Sequence, residues 1–225
     1  MNTIYDIVII GTGVIGRSIA FRLKRRRPEL KIALLGDPMN SLMASRAAAG
    51  MLAPFGECTA ADRFYEFCRG SLEKYPGFIR ELVEVSGREV YLSLAGSLMP
   101  SCLYHGNWEE RKQFLKDNSI PHELWPPEVV RKKAPHLAPD CGEVVWVAEG
   151  QVNNRQMHDA LAAASATMRL SLLEKNVPGI IKEGARLRAA VTDSGEVRGD
   201  TFVLAAGSWS TQLGKILDVS IPLKP

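Results

Sequence analysis

Gly11, Gly13 and Gly16 stand in the stretch "GTGVIG", directly after the apolar run "DIVII" and directly before Val14, Ile15, Ile19, Ala20 and Leu23 at helical spacing. Glycines in this order can cradle a diphosphate. The first permits a tight turn, the second lets phosphates approach the main chain, and the third lets the helix lie close to the strand. The helix start then offers N–H groups to the anion. A second apolar run, "KIALLGDP", completes a β-α-β unit, the context in which this spacing signals a dinucleotide. The acidic residue that binds the adenosine ribose is expected at the end of that second strand. Gly36 occupies the place, and Asp37 follows one residue later. Three readings stand: Asp37 reaches the ribose, backbone and water at Gly36 serve instead, or Asp37 merely belongs to a surface turn.

"SRAAAGMLAP" (45–54) comes next where a nicotinamide-binding domain would continue with further β-α repeats. Its side chains are too small to build much core. They would let a large planar ring lie against the main chain, whose N–H groups could bond the ring edge. An isoalloxazine has that need, and the Ser45 hydroxyl could meet a phosphate or ring atom. A tight helix–helix contact through alanines is the alternative.

Four stretches, "DIVIIGTGVIGRSIAFRL", "ASRAAAGMLAP", "EGQVNNRQMHDAL" and "TFVLAAGSWS", resemble the D-amino-acid oxidase family of flavoproteins, most of all its glycine oxidase branch. The resemblance implies that the cofactor is FAD. It places Val14 and Ile15 with the three glycines at the diphosphate, and Gly36 and Asp37 at the ribose. Ala44 and Ser45 fall at the phosphate and ribityl region, with Arg46 as a cofactor or surface contact. Ala49, Gly50 and Met51 fall along the flavin ring, Val177 near the adenine, and Ala206 and Gly207 at a strand end close to the cofactor. Trp209 either packs behind them or belongs to the core.

The resemblance further implies oxidation of an amine alpha to a carboxylate. A hydride leaves the carbon for flavin N5, and the imine product hydrolyses. The family's substrate-binding arginine, its tyrosine and its last flavin-binding glycine segment have no counterpart before "IPLKP", so no catalytic residue is assigned. The expectation is a fragment, or one subunit of the active unit, associated with a complementary chain or with itself. The alternative is a flavin-binding subunit or dehydrogenase component that passes electrons to a carrier and is inactive alone.

The elements that must position these residues follow from periodicity. The expected fold class is α/β: a Rossmann-like FAD-binding domain of residues 1–86 and 145–225, with an inserted, partial β-rich substrate lobe of residues 87–144. Residues 60–86 read as helix broken near Pro76-Gly77, and "REVYLSLAGSLMP" as strands about Ala95-Gly96. "NWEERKQFLKDN" and "RQMHDALAAASATM" read as helices, the latter capped by Asn153 or Asn154, and "STQLGKIL" reads as a further helix after the strand "DTFVLAAG". "KRRR" (24–27) reads as a solvated helix end whose cations suit the dipole.

Composition narrows the rest. A net charge of +3 gives no reason to expect a nucleic-acid partner. The four cysteines (58, 68, 102, 141) and four histidines (105, 122, 136, 158) show no metal-ligand spacing, and free thiols in the cytoplasm are expected. No uninterrupted apolar run reaches the length of a membrane span. Neither motif has a cysteine or histidine beside it for a flavin linkage, so FAD is expected to bind non-covalently. Acid precipitation should then release the yellow colour into the supernatant, and colour retained in the pellet would refute this.

Overall fold

The structure is a computed structural model that describes residues 3–37, 43–104, 107–184 and 186–223. Pro38, His105, Lys224 and Pro225 lie outside the described residues. In chain order, β1 (Ile4–Ile10), α1 (Val14–Arg26) and β2 (Ile32–Leu35) form the opening unit. They are followed by α2 (Ala44–Ala47), β3 (Met51–Leu52), α3 (Pro54–Glu57) and α4 (Arg63–Ser86). The middle comprises β4 (Leu92–Ser93), β5 (Ser97–Pro100), α5 (Trp108–Asp117), β6 (His122–Trp125), α6 (Pro127–Lys133), β7 (Val144–Val147) and β8 (Gly150–Val152). The last part holds α7 (Asn154–Thr167), β9 (Ser171–Leu173), β10 (Gly179–Glu183), β11 (Arg186–Thr192), β12 (Gly195–Leu204) and α8 (Ser210–Ile216).

Two compact units result: residues 1–48, 81–90 and 154–225 make the first, and 49–80 with 91–153 the second. The sequence places the inserted lobe at 87–144, so 49–80, 87–90 and 145–153 group differently. Hydrogen bonding explains the difference. Met51 and Leu52 pair with Gln151 and Gly150, and Leu92 and Ser93 pair with Val152 and Gln151, so residues 51–52 and 150–152 share one small sheet with the middle of the chain.

The first unit is built on a six-stranded sheet of order β10-β11-β12-β1-β2-β9. Strands β12, β1, β2 and β9 run parallel, and β10 and β11 fold back antiparallel at one edge. The parallel strands are apolar on both faces, as burial under helices on one side and further structure on the other requires. Ile9, Ile32 and Leu34 pack with Ala20 and Leu23 of α1 on one face, while Val8, Ile10, Ala33 and Leu35 pack with Leu213 of α8 on the other. The apolar period of two in β1 therefore serves two cores. Lys24, Arg25 and Arg26 close the last turn of α1, and Arg22 and Arg25 reach Glu81 at 2.6 and 3.8 Å.

In the second unit β5-β7-β6 form a three-stranded antiparallel sheet. Val145 and Val147 of β7 face a core with Phe55, Tyr65, Leu72, Met99, Leu115 and Ile120, and Val144 faces a second cluster with Val130, Ala134 and Cys141. Helix α4 runs unbroken for 24 residues with Pro76 inside it, where the sequence leads one to expect a break. Proline removes one N–H donor and crowds the preceding turn, which costs an exposed helix about 3 kcal/mol. Burial of Leu72, Ile79 and Leu82 on both sides of Pro76 outweighs that cost and keeps the helix continuous.

The short α3 is held by two buried charges. Glu149, 1% exposed, accepts hydrogen bonds at Oε2 from the Phe55 and Gly56 N–H groups at 3.0 and 3.1 Å. From the other end Arg111 Nη1 donates to the Phe55 and Cys58 carbonyls at 3.0 and 2.6 Å. A carboxylate thus meets the N-terminal donors and a guanidinium the C-terminal acceptors, each the favourable sign for its end. Burial pushes the Glu149 carboxyl above its ordinary value of 4.5, against the pull of those two N–H groups. A raised folded pKa contributes stability that is full below the unfolded value and lost as pH rises through the folded one. The stability advantage of Glu149→Gln over the parent should therefore grow as pH rises above about 4.5. Urea midpoints measured across pH check this, and a constant difference would contradict it.

Candidate functional site

The parallel strands β1, β2 and β12 end together, and a cavity of about 480 Å³ opens beyond their carboxyl ends. Crevices of this kind are where open α/β sheets take ligands. Gly11, Gly13, Ile15, Gly36, Asp37, Ala44, Ser45, Val177, Ala206 and Gly207 all line it, brought from five separate stretches of chain. Trp209, 43% exposed, lines it too and is not a core residue.

The glycines are explained by contacts. A Cβ on Gly11 would lie 2.1 Å from the Ala205 carbonyl oxygen, and its φ is +126°, a conformation L side chains rarely adopt. At Gly16 a Cβ would lie 2.0 Å from the Gly11 carbonyl oxygen, so α1 could not sit as close to β1. Gly36 has φ +144° and abuts Thr12, whose Oγ1 donates to the Asp37 carbonyl at 3.2 Å. That bond ties the glycine loop to the end of β2.

Ser45 has a more specific place than its sequence position implies. Its Oγ accepts from the Val14 N–H at 3.0 Å and so occupies one donor of the first turn of α1. The Ser45 carbonyl in turn accepts from Asn154 Nδ2 at 2.8 Å, which anchors α2 to α7. No acceptor among the described residues takes the N–H groups of Thr12, Gly13 or Ile15. Unpaired donors around a cavity at a helix start can hold an anion.

Other expected residues do not line this cavity. Val14 faces the loop through its N–H, and Gly16 serves packing; neither lines the cavity. Arg46 pairs with Asp159 at 3.3 Å instead of turning to the cavity. Ala49, Gly50 and Met51 belong to the second unit, where the Gly50 carbonyl accepts from Val152 N–H at 2.8 Å and Met51 is 64% exposed.

Further residues line the cavity without having been singled out by motif: Thr12, Lys175, Asn176, Ser208 and Gln212. Arg17 also escapes the motif. It is 1% exposed, yet its Nε donates to the Thr12 carbonyl at 2.8 Å and its Nη1 to Ser165 Oγ at 3.4 Å. Beside it His158 is 2% exposed with neither ring nitrogen hydrogen-bonded. Burial holds the imidazole below its ordinary pKa and the Arg17 charge adds to this, while the Thr12 main chain pulls weakly the other way. Among the described residues no group of three or more His, Cys, Asp or Glu could hold a metal ion.

Residues 6–225 match the family described as DAO, FAD dependent oxidoreductase. The chain belongs to this family. FAD is therefore its cofactor, and the glycine loop with its unaccepted N–H groups fits the diphosphate of that group. This FAD-dependent oxidoreductase is similar to the bifunctional protein ThiO/ThiG of Synechocystis sp., with 32% identity over 216 residues that cover 95% of this chain and 31% of the relative. It is similar to the hydrogen cyanide synthase subunit HcnC of Pseudomonas protegens, with 27% identity covering 98% of this chain and 62% of the relative. Among solved structures, glycine oxidase from Geobacillus kaustophilus superposes with a TM-score of 0.88 at 26% identity, covering 96% of this chain and 59% of that one. The chain thus spans about a third of the bifunctional relative and about 60% of the other two. Among the described residues no helix is long and apolar enough to cross a membrane.

The glycine loop admits a direct check. Gly11→Ala must either move β12 or abandon the φ of +126°, and it is expected to cost about 3 kcal/mol or more. A thermal midpoint within a degree or two of the parent would show that the loop has room that its contacts deny.

Proposed function

We propose that this chain binds the adenosine diphosphate half of FAD in the cavity at the ends of β1, β2 and β12, and serves an enzyme that oxidises an amine alpha to a carboxylate. The observation that carries the reading is the set of N–H groups at Thr12, Gly13 and Ile15, without acceptors among the described residues, on residues that line one cavity in a chain of this family. Gly11, Gly13 and Ile15 face the diphosphate, with Thr12 between them. Gly36 and Asp37 take the ribose, through backbone or carboxylate. Val177 and its neighbours flank the adenine, with Ala206 and Gly207 completing the wall.

Bound FAD supplies the two-electron acceptor for the carbon–hydrogen bond next to the amine. The chain's own residues bind and orient it: the loop neutralises the diphosphate with oriented N–H dipoles, and the apolar strand ends Ile10 and Leu35 keep water from the inner wall. Glycine and related amino acids are the proposed substrates, because the superposed structure is named a glycine oxidase.

A second reading is favoured by one specific observation. The relative HcnC is named as a synthase subunit, which supports the reading that this chain is the flavin-binding component of an assembly. Association also suits Phe64 and Phe67 of α4, which stand 66% and 74% exposed.

The purified chain is expected to carry flavin absorbance and to bind FAD in preference to NAD; binding of NAD alone would overturn the cofactor site. Turnover is to be measured with glycine, sarcosine and D-alanine, following peroxide and, separately, reduction of an artificial dye, with molar mass determined by light scattering. Little turnover by the chain alone and a mass above that of a monomer are expected. A monomer that forms peroxide at an ordinary enzymatic rate would show that no partner is needed. Reduction of the dye without peroxide would favour the electron-carrier component.

A further inference from the structure

Arg17 is a buried cation for which no carboxylate partner exists among the described residues. Burial pushes its pKa down, yet a guanidinium stays charged in proteins. An unpaired buried charge is costly; among the described residues the guanidinium bonds the Thr12 carbonyl and the Ser165 hydroxyl and lies near the unpartnered His158 ring. The residue sits on the apolar stripe of α1 with Gly16, Ala20 and Phe21, where an aliphatic side chain would fit the pattern. It does not line the cavity.

Its contacts fix the orientation of the glycine loop. The Arg17 backbone N–H donates to the Gly13 carbonyl at 3.0 Å, while Nε donates to the Thr12 carbonyl at 2.8 Å. One residue therefore turns two successive carbonyls back toward the body of α1. The Thr12–Gly13 peptide is trans, and across a trans peptide the N–H points opposite to the C=O. With the Thr12 carbonyl drawn to Arg17, the Gly13 N–H must point the other way, from a residue that lines the cavity. The same pull keeps a carbonyl oxygen, which would repel an anion, out of the cavity. The Gly13 carbonyl is held by an ordinary helical bond and the Val14 N–H by Ser45 Oγ, so the Thr12–Gly13 peptide is the one of the two that Arg17's side chain orients.

We infer that Arg17 is a positioning residue for diphosphate binding: its guanidinium grips the Thr12 carbonyl so that the Gly13 N–H is presented to the cofactor's phosphates. The inference rests on the proposed FAD site. Arg17 touches no phosphate itself; it acts through one peptide plane, and its buried charge adds a favourable potential toward the anion. The cost of burying that charge is offset when the anion arrives.

The test compares ligands that differ only in the diphosphate. Affinities of the purified chain for ADP and for adenosine are measured by calorimetry or competition, in the parent, Arg17→Met and Arg17→Gln. In Arg17→Met the affinity for ADP is expected to fall roughly tenfold, the effect of one charge-assisted hydrogen bond, with adenosine affinity unchanged. Arg17→Gln keeps an N–H donor without the charge and should lie between the two. Ligand-free thermal unfolding serves as the control, and Arg17→Met should unfold no earlier than the parent, since an apolar side chain replaces an unpaired charge. If Arg17→Met does not fold, a lowered ADP-to-adenosine ratio in Arg17→Gln supports the inference and an unchanged ratio overturns it. Equal weakening of both ligands would make Arg17 merely structural and also overturns it. A parent chain that binds neither ADP nor adenosine would instead overturn the site on which the inference depends.

Discussion

Everything at the cavity depends on how closely a helix can approach the strand before it. The Gly11 carbonyl lies against Gly16, and the Gly11 α-carbon lies against Ala205 at the end of β12, with no room for a methyl group at either contact. That approach draws the start of α1 over the ends of the parallel strands. It leaves the main-chain N–H groups of Thr12, Gly13 and Ile15 beside the cavity with no acceptor among the described residues. A bulkier residue at either glycine would separate helix from sheet and scatter those donors. The binding capacity is thus a property of the backbone, enforced by the absence of side chains.

Side chains then hold the backbone where the glycines allow it to be. Thr12 reaches Asp37, Ser45 reaches Val14, Asn154 reaches Ser45, and Arg17 reaches back to Thr12. These bonds join β2, α2 and α7 to a single loop. Each is worth only about 1 kcal/mol by itself. Their joint effect is to remove alternatives, because the loop has no freedom left in which to turn its carbonyls outward.

The second unit solves a comparable problem with opposite means. Where the glycine loop relies on empty space, α3 relies on the buried Glu149 and Arg111, which satisfy both of its ends. Neither charge is directly paired with the other by a salt bridge; each is compensated by main-chain dipoles. A turn of four residues is too short to be stable alone. It persists because its orphan groups are matched, and it carries Phe55 into the core with Tyr65 and Leu115.

The sequence by itself determined the β-α-β opening, the roles of Gly11, Gly13 and Gly16, and the family. Those features are local: the period of apolar residues and the spacing of glycines act over a few residues, so they survive without knowledge of contacts. Only the tertiary structure decided which small-residue positions meet the cavity. Ala44 and Ser45 line it, while Ala49, Gly50 and Met51, a few residues later, fall in the other unit because β3 pairs with β8 a hundred residues away. It likewise decided that α4 continues through Pro76, since the burial that overcomes the proline comes from distant partners. Arg17 was legible only as an anomaly, a charge on an apolar stripe. Its meaning needed Thr12, Ser165 and His158 gathered around it, and long-range packing alone assembles those.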